Sequence, residues 1–213
     1  MSIGFHSGSG KSASNYRIMG EMTGSQLEIK TSGRYTYEMG HALYASQNAS
    51  DQALWRDWYA FTVDLAVAGA FSTDETEKAA AREFISASFE TAPANESLFA
   101  SAEACHAALA KLDPHPDHVL FFEYNFLYVL AAEGQAMKAA LGDHSPAGYR
   151  QRARFYSISD EARLAYSKRV AAYIIFLAET TGVASAEACT QSTQQLDRTT
   201  SYAEFLEAIA PTS

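Results

Sequence analysis

Four stretches of the chain carry side chains whose types and spacing suit chemistry. Residues 8–12, Gly-Ser-Gly-Lys-Ser, offer the backbone amides and the lysine of a phosphate-cradling loop. That pattern also asks for glycine five residues before Gly10, where Phe5 stands, and for a preceding strand, for which the sequence leaves no room. Two Glu-x-x-His pairs, Glu38/His41 and Glu103/His106, have the spacing of carboxylate-bridged di-metal bundles, in which both side chains project into the core. The apolar stripe expected over 97–112 puts Glu103 roughly 140° and His106 roughly 80° from its centre at about 3.6 residues per turn, and if 35–44 is helical His41 likewise points away from Met39 and Leu43, so both pairs are read as solvated helix faces. Asp113, His115, Asp117 and His118 are ligand-type residues at close spacing, but a proline-stiffened turn with Asp117 capping the next helix explains them equally well. The reading assigns no metal ligands and no cofactor.

The fourth stretch interleaves Arg150, Arg152 and Arg154 with Tyr149, Phe155 and Tyr156, a mixture suited to phosphate contacts and base stacking. With Arg163, Lys168 and Arg169 it forms a basic strip, net +4 between residues 149 and 170, in a chain whose remaining residues sum to −13. Such a strip binds an anion locally while the rest of the surface repels it. The alternative is a set of intramolecular ion pairs holding acidic neighbours.

These residues need elements to position them, and the composition allows a substantial core: of 213 residues 47% are hydrophobic and only 19% charged. Disorder over most of the chain is excluded, and so is a membrane span, because the longest apolar run, 119–132, is too short and is broken by Glu123 and Asn125. No signal peptide is visible, so a cytoplasmic location is the default expectation. Cys105 and Cys189, 84 residues apart, form neither a disulfide framework nor a metal spacing.

The expected fold is mainly α, a single domain of six or seven helices over 15–213 preceded by a flexible Ser/Gly arm at 1–14. Residues 15–48 are ambiguous: Leu27, Ile29, Tyr35, Tyr37 and Met39 alternate like strand residues, while Met39, Ala42 and Leu43 also fit a helical turn. A small irregular or β lobe is expected there. Helices are expected over 51–71, from a capping box at Ser72 and Glu75 to Pro93, over 97–112, 118–141 and 159–182, and from Ser201 and Glu204 to Pro211. Two helices carry two apolar faces. In 51–71 the first is Leu54, Trp58, Phe61 and Leu65 and the second Trp55, Tyr59, Val63, Ala66 and Ala70; in 159–182 the second is Leu164, Ala171, Ile175 and Ala178.

Glu21, Thr31, Gly33, Tyr35, Thr36, Gly40 and His41 follow the order Glu, eight residues, one position, five residues, Thr, then Gly-His. In this they resemble the active-site hairpin of phage-type lysozymes, and the run 72–78 is similar to the helix opening that follows it. The resemblance implies a muramidase, with Glu21 as general acid and Thr36 as a further site residue. The position of the family's aspartate is Lys30, which cannot act as carboxylate nucleophile or base. Glu28, two residues away on the same strand face and displaced by about 7 Å, is the substitute.

The reading that joins these features is a non-enzymatic assembly protein, a filament- or coat-like subunit. It would self-associate through Trp55, Tyr59, Val63, Leu164 and Ile175 and offer its basic strip to RNA or another polyanion. The lysozyme-like hydrolase is one alternative. A small-molecule binder is another, and it requires an enclosed aromatic pocket near Phe122, Phe126 and Tyr173.

Overall fold

The computed structural model describes residues 3–5, 10–89, 96–125 and 152–210. Local side-chain chemistry sets most helix starts. Ser12, Asn48, Asp74, Ser101, Ser159, Ser185 and Ser201 each take a backbone N–H of the first turn on the side-chain oxygen, satisfying a donor that the helix cannot. The helices they open are α1 (Ala13–Thr23), α3 (Ala49–Ala70), α4 (Glu75–Ser88), α5 (Ala102–Leu109), α7 (Asp160–Thr180), α8 (Ala186–Arg198) and α9 (Tyr202–Ile209). Two more, α2 (Ser32–Ala45) and α6 (Val119–Tyr124), a 3-10 turn at Glu96–Phe99 and a helical stretch at 152–156 complete a mainly α chain. The strands β1 (Ile3–Phe5) and β2 (Leu27–Ile29) pair in parallel, with Ile3 opposite Leu27 and Phe5 opposite Ile29.

Several local expectations change. Residues 15–48 hold two helices around a three-residue strand. Tyr35, Tyr37 and Met39 are helical because Arg34 and Glu38, four residues apart, form an ion pair while Ala42 and Leu43 bury. Part of the expected arm is strand β1, which also supplies the strand thought to have no room before Gly10. Helix α4 is capped by Asp74 rather than Ser72, since the Asp74 carboxylate reaches both Thr76 N and Glu77 N. The box at Ser201 and Glu204 forms as expected. Over 97–112 the helix proper begins only after Ser101. In the expected helix 118–141, residues 126–141 lie outside the described residues.

The chain divides into two compact units: Met1–Ala42 with Ser159–Ser213, and Leu43–Ile158. In Leu43–Ile158, α3 is the central element. Trp58 is fully buried, its ring edge-on to Phe121 and Phe155 at 5.1 Å each, and its indole N–H donates to the Asn125 carbonyl at 2.7 Å. The second stripe of α3 is also core: Trp55, Tyr59, Val63, Ala66 and Ala70 are all 5% exposed or less. Trp55 meets Phe121 at 4.8 Å, and Tyr59 shares a 2.6 Å hydrogen bond with His118. The unit's own α6 thus lies against Trp55 and Tyr59, two of the residues that were expected to dock on a second copy, and α4 and α5 pack on α3 as well.

In the other unit α1, α8 and α9 pack on α7. Gly20 lies against the end of α7, where an added Cβ would stand 2.1 Å from the Thr181 carbonyl oxygen. Leu164 and Ile175, also expected at an interface, are half-buried. Ile175 shares a groove of about 210 Å³ with Ala171, Leu196, Phe205 and Ile209, so the C-terminal helices occupy this second face. Cys105 in one unit and Cys189 in the other are both buried free thiols. Among the described residues no helix is long and apolar enough to cross a membrane.

Candidate functional site

Helix periodicity assembles the site. On α7, Arg169, Tyr173 and Phe176 follow at i, i+4 and i+7 and share a face; on α2, Arg34 and Glu38 are one turn apart; Tyr16 comes from α1 and Lys11 from the turn before it. Together they line a cavity of about 520 Å³ within the unit Met1–Ala42 with Ser159–Ser213. That volume is in the range of small-molecule sites.

Its centre is Glu38, only 1% exposed. One carboxylate oxygen accepts from Arg34 Nε at 2.5 Å and the other from Arg169 Nε. Burying an unpaired carboxylate is prohibitive, and two guanidinium partners compensate it. Both contacts go through Nε alone, so the Nη donors of Arg34 and Arg169 have no hydrogen-bond partner among the described residues. The two side chains stay 34% and 41% exposed at the cavity. The Arg34 guanidinium lies over the rings of both Tyr37 (5.0 Å) and Tyr173 (4.9 Å), contacts that favour its cationic group at this position.

The Tyr16 and Tyr173 hydroxyls are 3.1 Å apart, and Lys11 N–H donates to Tyr16 Oη at 3.3 Å. Burial first, then the hydrogen bond with Tyr16, pushes the Tyr173 hydroxyl far above the ordinary tyrosine range, against a smaller opposing pull from Arg34. Burial likewise raises Tyr166, with Tyr35 and Glu38 adding to it. Lys11, Arg34 and Arg169 against Glu38 give the cavity a formal charge of +2. Oriented N–H donors, neutral hydroxyls and net positive charge suit an oxyanion: phosphate or carboxylate.

The other candidate residues do not converge. Glu21 is exposed on the last turn of α1 and Glu28 is exposed on β2. Thr36 donates its hydroxyl to the Gly33 carbonyl. Residues 32–41 are helix instead of the returning strand of a hairpin, so Thr36 stands on a helix and Glu28 on a strand. Glu38 is buried rather than solvated as expected, whereas Glu103 is fully exposed and His106 meets Asp64 at the surface. Among the described residues no group of three His, Cys, Asp or Glu side chains gathers as a metal site; His115 pairs with Asp117 and His118 with Tyr59.

The basic strip is divided between the units. Tyr149 and Arg150 lie outside the described residues. Arg152 and Tyr156 sit in or at the end of the 152–156 stretch with Arg154, which pairs with Asp57 at 2.7 Å. Arg163 pairs with Asp160 and lies over the Tyr202 ring, and Lys168 donates to the Thr199 carbonyl. Intramolecular pairing, the alternative considered for this strip, accounts for these contacts, and of its described residues Arg169 lines the cavity. Of the aromatic residues proposed for a ligand pocket, Tyr173 lines it, Phe122 belongs to the other unit and Phe126 lies outside the described residues.

Sequence reasoning missed Arg34, Glu38, Tyr16 and Phe176 as one site. The Arg34/Glu38 spacing was a usable signal, and so was the face shared by Arg169, Tyr173 and Phe176. Compared with family models, curated proteins and solved structures, the chain matches none.

Proposed function

We propose that the protein binds a small anionic molecule in the Arg34–Arg169 cavity. One observation carries this reading: a buried carboxylate holds two arginines through Nε and leaves both outer forks facing open volume. Two preset forks suit a tetrahedral or planar oxyanion better than flexible lysines do, because less side-chain freedom is lost per hydrogen bond formed. The Tyr173 hydroxyl, raised above its ordinary value by burial and hydrogen-bonded to Tyr16, adds a polar group beside the guanidiniums.

Calorimetric titration with inorganic phosphate and pyrophosphate at low salt tests it. A hydrogen bond to a charged group contributes about 1.5–3 kcal/mol, so Arg169→Gln is expected to weaken pyrophosphate at least tenfold. Glu38→Gln separates orientation from charge. It makes the cavity more positive yet releases both guanidiniums, and the expected result is weaker binding. Absence of binding by the wild type, or tighter binding by Glu38→Gln, would overturn the reading.

A further inference from the structure

The cavity is not uniformly polar. Along α7 its wall runs from Arg169 past Ala172 and Tyr173 to Phe176, a rise of roughly 10 Å at ~1.5 Å per residue. One end is cationic and the other aromatic. Phe176 is 38% exposed, and its ring is already fixed in place: near-parallel to Tyr173 (6.2 Å, 23°) and edge-on to Tyr16 (5.9 Å, 83°). Beside it the small, exposed side chain of Ala172 leaves room. A preset, accessible aromatic ring next to cationic groups is the arrangement that stacks a base while holding its phosphate. A volume of about 520 Å³ is far more than a bare oxyanion fills.

The Gly-Lys portion of the 8–12 motif belongs to the same cavity. Gly10 and Lys11 line it, and Lys11 forms no ion pair among the described residues. A third cationic residue in the lining, beside Arg34 and Arg169, suits a group carrying two negative charges better than a single carboxylate.

We infer that the ligand is a phosphate monoester bearing a flat heterocycle, of the nucleoside monophosphate class. Its phosphate lies on the Nη groups of Arg34 and Arg169 and its ring on Phe176. This inference rests on the anion-binding reading and specifies its ligand.

The test is a set of calorimetric titrations of the full chain with 5′-AMP, ribose 5-phosphate, adenosine and inorganic phosphate. Wild-type protein is expected to bind 5′-AMP at least tenfold more tightly than ribose 5-phosphate, with adenosine weaker than either phosphate ester. Phe176→Ala should bring 5′-AMP down to the ribose 5-phosphate value and leave inorganic phosphate unchanged. Phe176→Trp should restore the preference, which a merely structural role for the ring would not do. Equal affinity for 5′-AMP and ribose 5-phosphate overturns this inference while phosphate binding still stands. Equal weakening of every phosphate by Phe176→Ala with no recovery in Phe176→Trp also overturns it. Failure of all four probes removes the anion-binding reading as well.

Discussion

The two units use the same aromatic residue types for opposite ends. In Leu43–Ile158, Trp55, Trp58, Tyr59 and Phe121 fill space: their rings meet at 4.8 to 6.3 Å, and the polar atoms of Trp58 and Tyr59 are hydrogen-bonded internally. In the other unit Tyr37 and Tyr173 lie against a guanidinium, and Tyr16, Tyr173 and Phe176 border open volume. The first arrangement gains from burial and ring geometry alone. The second holds a buried carboxylate, which stabilises little by itself once desolvation is charged against it. The difference teaches that aromatic content says little about role; what decides it is whether charge is placed among the rings and whether volume is left open.

The sharpest way to break this comparison is Trp58→Ala. Truncation of a fully buried ring with two edge-on partners is expected to cost about 3–5 kcal/mol, read from denaturant unfolding. A cost under 1 kcal/mol would mean that this core is not the tight packing described. Next is Gly20→Ala in the other unit. The new methyl would meet the Thr181 backbone, which cannot swing aside as a flexible side chain would, and overpacking of this kind costs about 1–3 kcal/mol. A neutral result would show that α1 and the end of α7 approach less closely.

The smallest effect separates the tyrosines by pH. Tyr59 and Tyr173 both have hydroxyls raised above 10.0, chiefly by burial; Asp113 adds to the first and the Tyr16 hydrogen bond to the second. The unfolded chain therefore ionises first. The contribution is intact below pH 10 and is lost as pH rises from there through the folded values. Stability measured from pH 9 to 11 is expected to fall less in Tyr59→Phe and in Tyr173→Phe than in the wild type. An unchanged slope in either variant would remove that hydroxyl from the account.

Helix starts were legible where a cap is a purely local event: Ser159 and Ser201 each needed only the three residues that follow, whereas the start at Ser101 was placed too early and the helix opened by Ser185 was not anticipated. The apolar stripes on α3 were legible as well, but a stripe does not say what covers it, and α6 begins 49 residues after α3 ends. Strands of three residues, such as β1, are too short for any periodicity to register. The site was only half readable. Arg34 and Glu38 are neighbours on one helix, whereas the Arg169 bond to Glu38 spans 131 residues and follows from packing that no local pattern encodes.

The two cysteine thiols are divided evenly, Cys105 in one unit and Cys189 in the other, each buried and outside any disulfide. Neither half is closed by a disulfide. Each thiol also serves as a native clock: its alkylation has to wait for local opening, so the rate at one cysteine times the breathing of its own half.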